Sequence, residues 1–152
     1  MDKLIQLLKN KKFKAAETFL SERLEESPDN IYLLTQLAFV LWNRNKDKEA
    51  MYYADKAKEI SPMYPLLMYT RGKILWSMEN YDQSILEWDQ ILNMKETDIA
   101  DTGFGKNWTK SVINNARYYK ADCLYHLFRD KEALPFMIEH LKCREKGVQS
   151  DF

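Results

Sequence analysis

The sequence predicts an all-α repeat protein of about four antiparallel helix pairs, with an insertion before the last pair. Three observations predict it. The 152 residues include only 4 Gly and 4 Pro, too few for a chain of strands and tight turns and permissive for long helices. Trp42 and Trp76 stand 34 residues apart, the period of a helix-turn-helix repeat. Small residues recur in step with a column of leucines when the pairs are superposed.

Taken in order, Leu4, Ile5, Leu7 and Leu8 fall on one face of a first short helix, because residues three and four apart share a side. Asn10-Lys11-Lys12 ends it. A second helix from Phe13 carries Ala15, Ala16, Phe19, Leu20 and Leu24, and Ser27-Pro28-Asp29-Asn30 supplies turn residues. The next pair runs from Ile31 to Asn43 and from Glu49 to Ile60, and Ser61-Pro62 closes it as Ser27-Pro28 closes the first. A third runs from about Pro65 to Met78 and from Tyr81 to Met94. Lys95 to Lys110 is polar, with Gly103 and Gly105; part of it can extend the flanking helices, and Asp101 to Gly105 reads as the core of a loop. A fourth pair occupies about Ser111 to Phe128 and Lys131 to Cys143. These elements define one domain over 1–152, with repeats at about 1–30, 31–64, 65–96 and 114–147 and an insertion at about 97–113.

Superposition makes the period explicit. The first helices share Leu7, Leu41, Leu75 and Leu124, preceded three residues earlier by Leu4, Ala38, Gly72 and Ala121. The second helices share Ala16, Ala50, Ser84 and Ala133, followed four residues later by Leu20, Ala54, Trp88 and Met137. Where two antiparallel helices cross closely only a small side chain fits, and the leucine fills the space beside the crossing. A single hairpin cannot bury its own apolar face, so neighbours stack into one continuous core. The last interval, Ser84 to Ala133, is 49 residues instead of 34, and the excess marks the insertion.

The small residues, the leucine column and the closing prolines Pro28 and Pro62 resemble the tetratricopeptide repeat (TPR) over about residues 1–147. The early tryptophan of that family is replaced by Leu34, Met68 and Arg117, and the third and fourth pairs lack the closing proline. The resemblance implies a right-handed superhelix whose first helices line a concave surface. On that stripe lie Leu8, Trp42, Trp76 and Tyr125, then Ile5, Phe39, Lys73 and Asp122, then Thr35, Tyr69 and Tyr118. The expected partner-binding residues are therefore Phe39, Trp42, Tyr69, Lys73, Trp76, Tyr118, Asp122 and Tyr125. Tyr and Trp offer large contact area at low entropic cost and are enriched at binding hot spots. Phe39 and Tyr69 stand where a co-chaperone clamp for a C-terminal carboxylate would place polar residues, so that use is not expected. Gly105-x-x-Trp108-Thr109-Lys110 and Arg144-x-x-Gly147-x-x-Ser150 resemble segments of small bacterial TPR immunity proteins, which block a cognate toxin. Phe104 and Trp108, large apolar side chains in a polar insertion, join the expected partner contacts.

Other chemistries fit less well. Lys plus Arg equals Asp plus Glu at 23 each, without the basic excess a general nucleic-acid binder needs. The longest apolar run, Tyr32 to Trp42, is too short to span a bilayer, and Lys9 to Lys12 precede any signal-like core. Two cysteines make no disulfide framework. A cytoplasmic protein is expected. Gly103 to Lys110 fails as a phosphate loop, since Ala100 stands five residues before Gly105 and Asn107 follows Lys106. Cys123-x-x-His126 and His140-x-x-Cys143 invite zinc, but the two pairs fall about 10 Å or more apart along a helical hairpin. No metal, cofactor or catalytic set is expected.

The last helix is apolar over a wide arc through Leu134, Phe136, Met137, Ile138 and Leu141, whereas terminal repeats normally carry a polar outer face. Either the tail folds back through Val148 and Phe152, or this face meets a partner or a second copy in a homodimer. The expected function is non-enzymatic binding of a protein or peptide in an aromatic groove. The alternatives are an enzyme or nucleotide binder using the 101–110 loop, and a self-assembling structural protein.

Overall fold

Hairpin turns set the frame of this molecule, and they recur with the sequence period. In the computed structural model, which describes residues 2–103 and 105–151, nine helices and no strand occur among the described residues. They are α1 (Asp2–Lys9), α2 (Phe13–Glu26), α3 (Ile31–Asn43), α4 (Asp47–Ile60), α5 (Pro65–Ser77), α6 (Tyr81–Asn93), α7 (Glu96–Ala100), α8 (Gly105–His126) and α9 (Asp130–Glu145). The residues with positive φ outside glycine are Lys11, Asn45, Glu79 and Phe128. Their spacing of 34, 34 and 49 residues is that of the small-residue column.

Each is the left-handed residue of the same helix-ending motif. The N–H groups of Lys11, Asn45, Glu79 and Phe128 donate to the carbonyls of Leu8, Trp42, Trp76 and Tyr125. Those of Lys12, Lys46, Asn80 and Arg129 donate to the carbonyls of the column leucines Leu7, Leu41, Leu75 and Leu124. This is the Schellman pairing, which satisfies carbonyls left without a partner at a helix end. The leucine column is therefore a fixed position in a turn as well as in a core.

Glycine, the residue best suited to the left-handed position, occupies none of the four. At Phe128 the φ is 59° and the side chain is 94% exposed. A left-handed conformation costs a non-glycine residue about 1–2 kcal/mol, and this ring has almost no burial to offset it. Phe128→Gly is expected to raise stability by about 1 kcal/mol, read as a higher thermal midpoint by circular dichroism. A lower midpoint would show that the ring stabilises the fold.

The chain divides into two compact units, Met1–Thr70 and Arg71–Phe152. In the first, α1 packs on α2, α2 on α3 and α3 on α4. Its small positions Ala16, Ala38, Ala50 and Ala54 are fully buried. The Glu17 carboxylate receives both Arg44 and Lys46 from the turn after α3. Asn30 caps α3 by accepting from the Leu33 N–H at 3.1 Å, the standard role of a short polar side chain at that place. Ser27 and Ser61 each accept a turn bond from the N–H three residues on, with Pro28 and Pro62 second in the turn, where a fixed φ is favourable.

In the second unit α6 and α9 both pack on α8, as does α7. Gly72 and Ser84 meet at a crossing. A Cβ on Gly72 would lie 2.5 Å from ring atoms of the fully buried Trp88. The Ser84 hydroxyl donates to the Gly72 carbonyl and accepts from the Trp88 indole, both at 2.8 Å. The glycine, the serine and the tryptophan four residues beyond it thus form one interlocked contact.

The insertion differs from its sequence reading. Lys95 repeats the turn bond of Ser27 and Ser61, accepting from the Asp98 N–H, and α7 follows at once. Among the described residues the turn covers Asp101–Gly103, and α8 begins at Gly105 rather than near Ser111. Its added turns are anchored by Thr109 and Val112, both buried, and Ile99 of α7 is fully buried as well. The surrounding Lys106, Asn107 and Lys110 are exposed and mask this narrow apolar stripe in the sequence.

Candidate functional site

Three of the expected residues share one local turn position. Trp42, Trp76 and Tyr125 occupy one position, the residue whose carbonyl accepts the N–H of the left-handed residue. Their side chains therefore leave their helices at equivalent points, one residue before the last of each helix.

In the first unit, Phe39 and Trp42 of α3 are half-buried, their ring centroids 6.0 Å apart at 45°. Tyr69 of α5 is only 8% exposed, which leaves it little surface for a partner. Thr35, one turn before Phe39, is fully buried.

The second unit brings more of the expected residues together. The Trp76 indole donates to Asp122 Oδ2 at 2.6 Å, and its ring meets Tyr119 edge-on at 5.3 Å. Asp122 also lies 3.5 Å from His126 Nε2, and His126 stacks on Tyr81 with centroids 4.7 Å apart and planes 3° from parallel. Tyr118 is half-buried against Tyr119 and His140. Burial, then the nearby Asp122 charge, pushes its hydroxyl pKa up. Tyr125 is 64% exposed, the most open of the expected aromatics among the described residues. Trp108 is half-buried near the start of α8, and Phe104 lies outside the described residues.

Lys73 stands apart. It is 6% exposed, and its ammonium lies 3.0 Å from Asp151 Oδ2 and 5.8 Å from the Tyr119 ring centroid. Burial lowers its pKa, and the Asp151 charge opposes that shift. The groove cation expected from the sequence is thus engaged by the chain's own tail. Gln149 accepts from Ser111 Oγ at 2.9 Å. Ser150 Oγ and the Asp151 N–H both donate to Asn115 Oδ1, at 2.7 and 3.2 Å. Gln149 to Asp151 fold back onto α8 and Lys73 rather than over α9, whose Leu134, Ile138 and Leu141 stay exposed; Phe152, expected in that contact, lies outside the described residues.

The cysteines and histidines have separate environments. Burial pushes the Cys123 thiol up to about 11, which keeps it protonated at neutral pH. Cys143 lies 3.4 Å from Arg117 Nη1. His140 is buried, with Nδ1 3.0 Å from the Asn114 carbonyl. His126 is exposed. Among the described residues no group of three or more His, Cys, Asp or Glu could hold a metal ion.

Sequence reasoning passes over two features. Arg71 Nε donates to Glu87 Oε1 at 2.9 Å, with both side chains nearly enclosed. The tail site on Ser111 and Asn115 is the other. A glutamate between Leu86 and Trp88, and the Asn114-Asn115 pair inside an apolar helical run, are the signals that could reveal them, since polar residues on a buried face need partners.

No protein-family model matches the chain, and no curated protein matches it. Among solved structures, the crystal structure of MamA is similar over 97% of this chain and 97% of its own, with a TM-score of 0.55 and 13% sequence identity. With the all-helical architecture, this likeness gives the class: the fold is a TPR-like helical repeat. No helix among the described residues is long and apolar enough to cross a membrane.

Proposed function

We propose that this chain is a non-enzymatic module that binds a protein or peptide partner through the aromatic stripe of its first helices, in the manner of a toxin-neutralising immunity protein of the cytoplasm. The observation that carries the reading is the shared turn position of Trp42, Trp76 and Tyr125. Within the second unit, Trp76 and Tyr125 are delivered at the same point of successive first helices, and the bond from Trp76 to Asp122 holds one of them in place. Preorganised aromatic anchors of this kind dominate binding energy in protein interfaces.

Partner capture from the source cell tests it. Tyr125→Ala, at an exposed position of the second unit, and Trp42→Ala, at a half-buried one of the first, are expected to weaken capture by about 2 kcal/mol apiece, roughly thirtyfold. Helicity should be retained. Undiminished capture by both variants would remove the stripe from consideration.

Two other readings have an observation each. A cavity of about 310 Å³ lined by Glu96, Thr97, Ala100, Lys106, Thr109 and Lys110 supports a small-ligand site at the insertion. Stabilisation by a nucleotide in a thermal-shift screen would favour it. The exposed Leu134, Ile138 and Leu141 on α9 support self-association, which a concentration-independent monomer mass in light scattering would rule out.

A further inference from the structure

The tail contact has the composition of a binding site. Its floor is built from two helices of the second unit, Lys73 on α5 and Ser111 and Asn115 on α8. Lys73 and Asn115 are almost fully buried. Residues 149–151 lie outside any helix, and they are held through backbone and side chain alike. The Gln149 carbonyl meets Ser111, the Asp151 N–H and the Ser150 hydroxyl meet Asn115, and the Asp151 carboxylate meets Lys73. This is how an extended peptide is recognised: main-chain bonds fix its path, and one charged pocket selects a residue.

A buried ammonium is costly unless a countercharge faces it. The site therefore favours a carboxylate at this point over a neutral side chain. Beside the tail lies a cavity of about 220 Å³ lined by Asn107, Lys110, Lys146, Gly147, Val148 and Gln149. Its two lysines extend the preference for negative charge toward the upstream end.

We propose that Lys73, Ser111 and Asn115 form a recognition site for an extended acidic segment, with residues 149–151 as its resident and displaceable occupant. A partner segment of the same chemistry, an aspartate or glutamate next to a residue with a hydroxyl, competes for the place. This deepens the protein-binding reading and rests on it. The tail then acts as a built-in competitor: a tethered occupant has an effective concentration on the order of millimolar, so a partner present well below that concentration needs further contacts to displace it.

The test uses a fluorescent peptide with the sequence of residues 147–152. Asp151→Pro removes both the N–H donor and the carboxylate of the tail within the full chain. The peptide is expected to bind this variant about tenfold more tightly than the unmodified chain, and a peptide with Asn in place of its aspartate is expected to bind several-fold more weakly. Equal affinity for the two chains, or no binding to the opened variant, overturns the proposal. The unmodified chain gives a second readout that does not depend on the variant folding. Millimolar peptide should accelerate amide exchange of Asp151, and unchanged exchange overturns the proposal as well. Neither readout involves the natural partner, so loss of the cradle would leave capture by Trp42 and Tyr125 standing, and loss of capture by those residues would leave peptide binding measurable.

Discussion

Arg71→Met is expected to cost about 3–5 kcal/mol of folding stability, the usual penalty for stripping one partner from a buried ion pair. The side chains of Arg71 and Glu87 are only 11% and 4% exposed, so the carboxylate left behind could not recover its hydration. For a chain of this size that loss lowers the thermal midpoint by about 10 °C. The double variant Arg71→Met/Glu87→Leu separates the pair's net contribution from the penalty of breaking it. Replacing both partners with apolar groups is often neutral or stabilising, so the double variant should regain most of the loss. A double variant no more stable than Arg71→Met would mean that other bonds of these residues dominate. A single variant within about 0.5 kcal/mol of the parent would mean that the pair is effectively solvated.

Gly72→Ala is the second large expected effect, and its sign opposes helix propensity. In an exposed helix interior this change gains about 1 kcal/mol. Here the added methyl would sit 2.5 Å from two ring atoms of Trp88 and 2.7 Å from a third. That ring cannot swing away, because it is fully buried and its indole is bonded to Ser84. Overpacking a rigid core costs about 1–3 kcal/mol, and a clash with a pinned aromatic belongs at the upper end. A net loss of about 2 kcal/mol is expected by urea denaturation. Trp88→Phe in the same chain shortens the ring and should relieve the clash. The two substitutions should then couple favourably by at least about 1 kcal/mol in a double-mutant cycle. Additive effects would show that the helix shifts to admit the methyl.

Much of the fold is legible in the sequence because it is written by a period. Ala38, Gly72 and Ala121 are buried, as are Ala16, Ala50, Ser84 and Ala133. The columns fray only at the ends of the array, where Leu7 and Met137 are half-buried. The step of 49 residues reappears in the turn residue Phe128, since an insertion between hairpins leaves each hairpin's internal spacing intact. The insertion's own structure is harder to read. Thr109 and Val112 form a buried stripe too narrow to stand out among lysines, and it becomes apolar surface only once α7 is there to cover it.

The candidate site is legible in part for the same reason. Position along a repeat puts Trp42, Trp76 and Tyr125 in one register, and the turns keep them there. Position does not say what else comes to the place. Lys73 reads as a groove cation, yet it is buried against Asp151, 78 residues away. Glu87 carries no local sign of its surroundings, yet it is 3% exposed and bonded to Arg71. The sequence by itself determined the helix pairs, their period and the residues at each crossing, because those depend on neighbours at fixed short spacing. The tertiary structure decided which charges are buried and where the tail lies. Those outcomes depend on partners far along the chain, and no local pattern encodes a bond between Lys73 on one helix and a carboxylate in an irregular tail.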